Sequence, residues 1–164
     1  MRLDNSRYNI YICCVPQSSK VRQIGSPEET AFLDLLRTAD VLTRSAIGVL
    51  KAEDLSSTQY NVLRILRGAP QGLPCGEIAG RLITRDPDVT RLLDRMEKRG
   101  LISRARDSRD RRLVLTRLSA EGLKLVNRLD EPVQQMHRKL LGHLGKERLR
   151  ALGELLAVAR EKAG

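Results

Sequence analysis

Glu77-Ile78-Ala79-Gly80-Arg81-Leu82, then a short turn, then Asp86-Pro87-Asp88-Val89-Thr90-Arg91-Leu92-Leu93-Asp94-Arg95-Met96 is the stretch whose reading decides the fold. Ile78, Ala79 and Leu82 make one inward face of a short helix, about Cys75–Leu82, and small Ala79 admits a second helix at close range. That second helix begins at Asp86-Pro87. Its Val89, Leu92, Leu93 and Met96 recur at i, i+3, i+4 and i+7, a single buried stripe. At 100° per residue, Arg91, Asp94 and Lys98 fall opposite the stripe, with Arg95 and Asp88 on its flanks. Two helices joined so tightly read as a helix-turn-helix. The exposed arginines of the second suit a DNA major groove, where a guanidinium bonds guanine bidentately and Thr90 can touch a thymine methyl or a phosphate. An ordinary amphipathic surface helix would carry the same pattern, so neighbouring elements have to decide.

After Gly100 the period changes. Leu101-Ile102-Ser103-Arg104 and Arg112–Leu118 read as two short strands around the polar turn Asp107-Ser108-Arg109-Asp110. The result is a β-ribbon with Arg109, Arg111 and Arg112 at its tip. A ribbon of this kind fits a minor groove beside a helix docked in the major groove. Asp110 cannot favour DNA by charge, so its expected role is to pair with Arg112 or Arg111 and aim the guanidinium.

The charge distribution agrees. Of a formal net charge of +10 in 164 residues, the segment from Arg81 to Arg117 holds twelve basic against six acidic residues, leaving +6 there. A concentrated basic stripe is the footprint of a polyanion partner, although a salt-bridged helix face can produce one too. With one Phe, three Tyr and no Trp, the core must be built from Leu, Ile, Val and Ala, which favours packed helices.

On the N-terminal side, residues 1–27 read as a weakly structured leader, partly strand-like at Tyr8–Val15. That apolar segment is short, contains Asn9 and lacks a small-residue cleavage pattern, so it is not read as a signal peptide. Ser26-Pro27-Glu28-Glu29 starts a long helix running to about Ala52. Ser56-Ser57-Thr58-Gln59 matches a capping box before a helix to Arg67 that buries Tyr60 or Val62 with Leu63 and Leu66. Pro74-Cys75-Gly76 lacks the usual polar cap for the third helix. On the C-terminal side, Ser119 opens a helix with apolar Leu123, Val126, Leu129, Val133, Met136 and Leu140, in which Pro132 predicts a kink. A last helix, about Lys146–Lys162, carries the stripe Leu149, Leu152, Leu155, Leu156 and Ala159.

The expected architecture is mainly α with a small β-wing: a winged helix-turn-helix lobe at 55–118, flanked by dimerisation helices at 28–54 and 119–164. The flanking helices expose more apolar surface than so small a lobe can cover, and a second copy is the natural partner.

Residues from about Leu33 to Leu156 resemble the MarR (multiple antibiotic resistance regulator) family of winged-helix transcription factors. The resemblance is carried by Leu55-Ser56-Ser57-Thr58-Gln59-Tyr60-x-Val62-Leu63, Glu77-Ile78-Ala79-x-x-Leu82 and Val89-Thr90-Arg91-Leu92-Leu93-Asp94-Arg95-Met96-Glu97-x-Arg99-Gly100-Leu101-Ile102. Arg104 and Asp110-Arg111-Arg112 through Leu118-Ser119-x-x-Gly122 complete it. The resemblance implies a homodimeric, cytoplasmic regulator, a repressor, that binds a pseudopalindromic operator in double-stranded DNA. It implies that Thr90 and Arg91 read bases; Arg85, Asp88 and Arg95 are the further candidate DNA-binding residues of the recognition segment. It also implies that Asp110 and Arg112 are the wing's DNA-contacting pair. A small lipophilic or phenolic effector would bind between dimer helices and lobe, with Phe32 and Tyr60 the aromatic residues available to it outside the leader.

Some family members sense oxidants through a thiol, and Cys75 at a helix start is the candidate; Cys13 and Cys14 are adjacent in the leader. Three cysteines do not make a disulfide framework. A metal site would rest on His137 and His143, which fall on different helix faces, so no metal or cofactor is expected. No nucleophile–base pair or phosphate loop supports an enzyme, and no apolar stretch is long enough for a membrane span. A nonspecific or RNA-binding winged helix is the alternative function.

Overall fold

A computed structural model of the chain describes residues 25–84, 86–108 and 110–163. Residues 1–24 of the leader, with its expected strand and with Cys13 and Cys14, therefore lie outside the described residues, as do Arg85 and Arg109. The chain divides into two compact units, Met1–Arg37 and Thr38–Gly164.

The helix α1 (Pro27–Lys51), whose residues 27–37 fall in the first unit and 38–51 in the second, begins as its sequence predicts. The Ser26 hydroxyl accepts the Glu29 backbone N–H at 3.3 Å, and Glu28 and Glu29 complement the helix dipole. The Ser26 hydroxyl also holds the Glu28 carboxyl below its usual value.

In the second unit, α2 (Ser57–Arg67) is set by both arms of its capping box. The Ser56 hydroxyl accepts from Gln59 N at 3.1 Å, and the Gln59 amide oxygen accepts from Ser56 N at 2.9 Å. Val62, Leu63 and Leu66 point into the core; Tyr60 is half-buried at its edge. The helix α3 (Cys75–Arg81) follows with Ile78 fully buried and no side-chain cap from Pro74.

The helix α4 (Val89–Lys98) begins three residues later than predicted. Asp86 does not start it; its carboxylate accepts the Asp88 N–H at 2.9 Å and closes a turn. Asp88 is the cap, accepting the Arg91 N–H at 3.1 Å. Two acids spaced by one residue competed for the cap, and the one whose carboxylate reaches the third N–H of the helix won. The predicted stripe Val89, Leu92, Leu93 and Met96 is buried.

The sheet has three strands, one more than expected. A two-residue strand β1 (Leu73–Pro74) pairs antiparallel with β3 (Val114–Leu118), which pairs with β2 (Ile102–Arg106), in the order β1-β3-β2. Proline is tolerated there because β1 is an edge strand. Gly72, at φ 85°, brings the chain into this edge; a Cβ would meet Thr116 O at 2.9 Å and Arg117 Cγ at 2.7 Å.

The helix α5 (Ala120–Leu141) is capped by Ser119 and runs through Pro132 as one element. Its buried face is Gly122, Leu125, Val126, Leu129 and Val133. The predicted Leu123 is instead 42% exposed. Gly122 sets this rotation: a Cβ there would lie 2.0 Å from Leu101 O, so the first turn of α5 packs directly on the backbone entering β2. A 3-10 turn (Gly142–Leu144) leads to α6 (Gly145–Ala163). No residue of α6 with a described side chain is buried, and Leu155 and Val158 are 70% and 57% exposed.

Candidate nucleic-acid interface

Helix α4 and the β2–β3 ribbon form the candidate interface. The Asp88 cap places Thr90 and Arg91 in the first turn of α4, exposed, which is where a recognition helix meets base edges. Asp88 itself is occupied: one carboxylate oxygen takes the Arg91 N–H and the other pairs with Arg91 Nε at 3.1 Å. Its geometry is that of a cap that also orients Arg91. Thr90 Oγ1 lies 4.0 Å from Cys75 Sγ, bringing the starts of α3 and α4 together. Cys75 is a free thiol of intermediate exposure.

The ribbon's tip is organised by two aspartates. Asp107 donates its N–H to Leu113 O at 2.9 Å, and its carboxylate accepts the Asp110 N–H at 3.3 Å. Asp110 then accepts the Arg112 backbone N–H on its carboxylate at 2.9 Å and the Leu113 N–H on its carbonyl at 3.0 Å. The expected side-chain pairing of Asp110 with an arginine is replaced by a bond to the backbone. The carboxylate is consumed in shaping the turn, as short polar side chains do in Asx turns. Arg111 and Arg112 are exposed and, among the described residues, form no ion pair. Asp107, placed in the turn by the sequence, takes a shaping role there that its spacing from Asp110 signals.

The basic stripe is thinner than its count. Arg104 pairs with Asp94 and Glu97, each at 2.6 Å; Arg81 pairs with Glu77 at 3.0 Å; Arg99 reaches Asp54 at 3.8 Å and the carbonyl of Glu53 at 3.2 Å. The Arg99 and Arg104 partnerships link different segments, whereas that of Arg81 lies within α3. Arg91 is also paired but stays exposed. Among the described residues of the stripe, Arg95, Lys98, Arg106, Arg111 and Arg112 carry charge with no carboxylate partner, as does Arg117, whose Nε donates to the Gln71 carbonyl at 3.1 Å.

Arg95 lies one turn beyond Arg91 on α4. With Lys98, Lys51, Ile47, Leu55 and Gln59 it lines a cleft of about 600 Å³ between the C-terminal half of α1, the start of α2 and α4. Tyr60 packs at the core edge, and burial pushes its phenol up. Phe32, in the first unit, is 57% exposed. His137 and His143 are both exposed. Among the described residues no cluster of His, Cys, Asp or Glu could hold a metal, and no helix is long and apolar enough to cross a membrane.

Comparison with known proteins places these elements in a context. The family model of the MarR family matches residues 55–114. A MarR transcription factor from Planctomyces limnophilus is 39% identical, over 83% of this chain and 99% of that one, with a TM-score of 0.63. The transcriptional repressor CouR, bound to a 23-mer DNA duplex, is 28% identical with a TM-score of 0.74, over 87% and 99%. The PcaV transcriptional regulator from Streptomyces coelicolor, in complex with its natural ligand, is 25% identical with a TM-score of 0.66, over 90% and 100%.

Proposed function

The chain belongs to the MarR family, and from that premise we propose that it is a sequence-specific transcriptional regulator, a repressor, that binds a pseudopalindromic operator as a homodimer. The observation that carries this reading is the pairing of two exposed cationic elements: the capped first turn of α4, with Thr90 and Arg91, and the aspartate-built tip with Arg111 and Arg112. A helix in the major groove and a ribbon tip in the adjacent minor groove use that combination. The likeness to a repressor seen on duplex DNA supports it.

Dimerisation follows from what the single chain leaves uncovered. Full burial of a leucine or valine is worth about 1.5–3 kcal/mol, and Leu155 and Val158 of α6 remain largely in water. A second copy covering α1, α5 and α6 recovers that energy and presents two lobes to two half-sites. The protein acts by binding, in the cytoplasm, without cofactor or turnover. The cleft beside Arg95 is the place for a small lipophilic or phenolic effector, because a ligand there touches α4 and the end of α1 together. The ligand-bound relative supports this part of the reading.

The test is anisotropy with duplex DNA carrying a palindrome from the gene's own promoter, against a scrambled duplex and generic RNA. Preference for the palindrome, falling steeply with salt, is expected, because each neutralised phosphate releases counterion. Equal binding to the scrambled duplex, or tighter binding to RNA, overturns the proposal. Thiol sensing is favoured by one contact, Cys75 beside Thr90 of the recognition helix. Peroxide-insensitive operator binding by the wild type removes it.

A further inference from the structure

We propose that Arg104 is a positioning residue for DNA binding, fixing the angle between the recognition helix and the wing through Asp94 and Glu97. The inference rests on the proposed docking of α4 and the ribbon tip.

Strand β2 is an outer strand of the sheet, so alternate backbone groups along it face away from β3. The Arg104 N–H is one of these, and it donates to Glu97 Oε1 at 2.9 Å. The Arg104 guanidinium returns to the same helix: Nε and one terminal nitrogen donate to Glu97 Oε2 at 2.9 and 2.6 Å, and that nitrogen meets Asp94 Oδ1 at 2.6 Å. Backbone and side chain of one residue thus grip two successive turns of α4.

The position along the ribbon matters. Ile102 anchors the base of β2 in the core, and Arg104 is the next residue on that side. Beyond it on the same side stands Arg106, exposed and, among the described residues, without an ion pair. Among the described residues, Arg104 is therefore the outermost polar tie between wing and recognition helix. A pivot there sets how far the tip at Arg112 stands from Arg91.

Electrostatics sharpens the argument. Asp94 and Glu97 put two negative charges on a helix meant to approach phosphates, which direct DNA contact would penalise. Both are bound to Arg104, whose proton they secure while it holds the Glu97 carboxyl below its usual value. Carboxylates in that place make sense as the seat of a strut.

The experiment is a double-mutant cycle on operator affinity, with thermal midpoints measured in parallel. The combined variant Asp94→Asn with Glu97→Gln removes two negative charges yet should weaken binding about ten-fold, and in an Arg112→Ala background it should cost less than about two-fold more. Tighter or unchanged binding overturns the inference and makes Arg104 a direct phosphate ligand or a bystander. A full loss persisting beside Arg112→Ala also overturns it, because the strut then does not act through the wing. If Arg112→Ala alone leaves affinity unchanged, the wing docking itself fails, and the inference with it. Should the combined variant unfold below the assay temperature, Glu97→Gln alone carries the same cycle.

Discussion

Arg67 and Asp130, sixty-three positions apart, meet in a two-pronged ion pair at 2.7 and 3.0 Å, with Arg67 also donating to Asn127 at 3.0 Å. The fork joins α2, inside the winged lobe, to the middle of α5. Arg128, on the same turn of α5, pairs with Glu53 at 3.1 Å after the end of α1. The lobe is thereby referenced to α5 at one polar point and through the Val126–Leu129–Val133 core, and the segment after α1 is tied to the same helix at a second.

The first prediction concerns acid. Hydrogen bonding from Arg67 holds the Asp130 carboxyl below its ordinary value of 3.8. A carboxyl depressed in the folded state contributes stability that is present above its unfolded pKa and lost as pH falls through the folded one. The stability gap between wild type and Asp130→Asn, measured by urea unfolding, should be constant from neutral pH down to about pH 5 and close progressively below about pH 4. A gap independent of pH would contradict the pairing.

Gly122→Ala should destabilise the fold. The new methyl would sit 2.0 Å from Leu101 O and 2.9 Å from Leu118 Cδ1, so either α5 or the entry to the wing must move. Overpacking of this kind costs about 1–3 kcal/mol, read as a lower midpoint in urea. An unchanged midpoint would mean that α5 does not seat on the wing backbone.

Asp88→Ala removes both the cap of α4 and the partner of Arg91. Loss of a cap costs about 1 kcal/mol, and Arg91 loses its orientation. Operator affinity should fall although a negative charge has left the interface. Asp88→Asn keeps the capping oxygen and should recover most of the stability. Stronger binding by the Ala variant would show that the acid only repels DNA.

Arg112→Ala should weaken operator binding by about 1–3 kcal/mol with the folded stability unchanged. Asp110→Ala should give a comparable loss by a different route, because the Arg112 N–H loses its acceptor and the tip loses its shape. Equal affinities for wild type and both variants would take the wing out of the mechanism.

Much of the architecture was legible in the chain because it is written locally. The capping box at Ser56 and Gln59, the stripe Val89–Leu92–Leu93–Met96 and the change of period after Gly100 depend on residues within a few positions of one another. Backbone preference and local burial settle such features without reference to the rest of the molecule. The strand at Leu73–Pro74 was not legible: two residues, one a proline, become a strand only when β3 lies beside them. The start of α4 was legible only to within three residues, because Asp86 and Asp88 are both competent caps and the reach of a single carboxylate decides between them.

The sequence by itself determined that the chain makes a helix-turn-helix followed by a basic ribbon, and that the positive charge gathers there. Tertiary structure decided which of those charges are available. Arg81, Arg99 and Arg104 count equally with Arg112 in composition, yet the first three are held by carboxylates or carbonyls and the last is exposed and, among the described residues, without an ion pair. Two of these partnerships span elements: Arg99 with Asp54 and Arg104 with Asp94 and Glu97. Charge is a property of the residue, whereas its availability depends on what folding brings within about 3 Å of it.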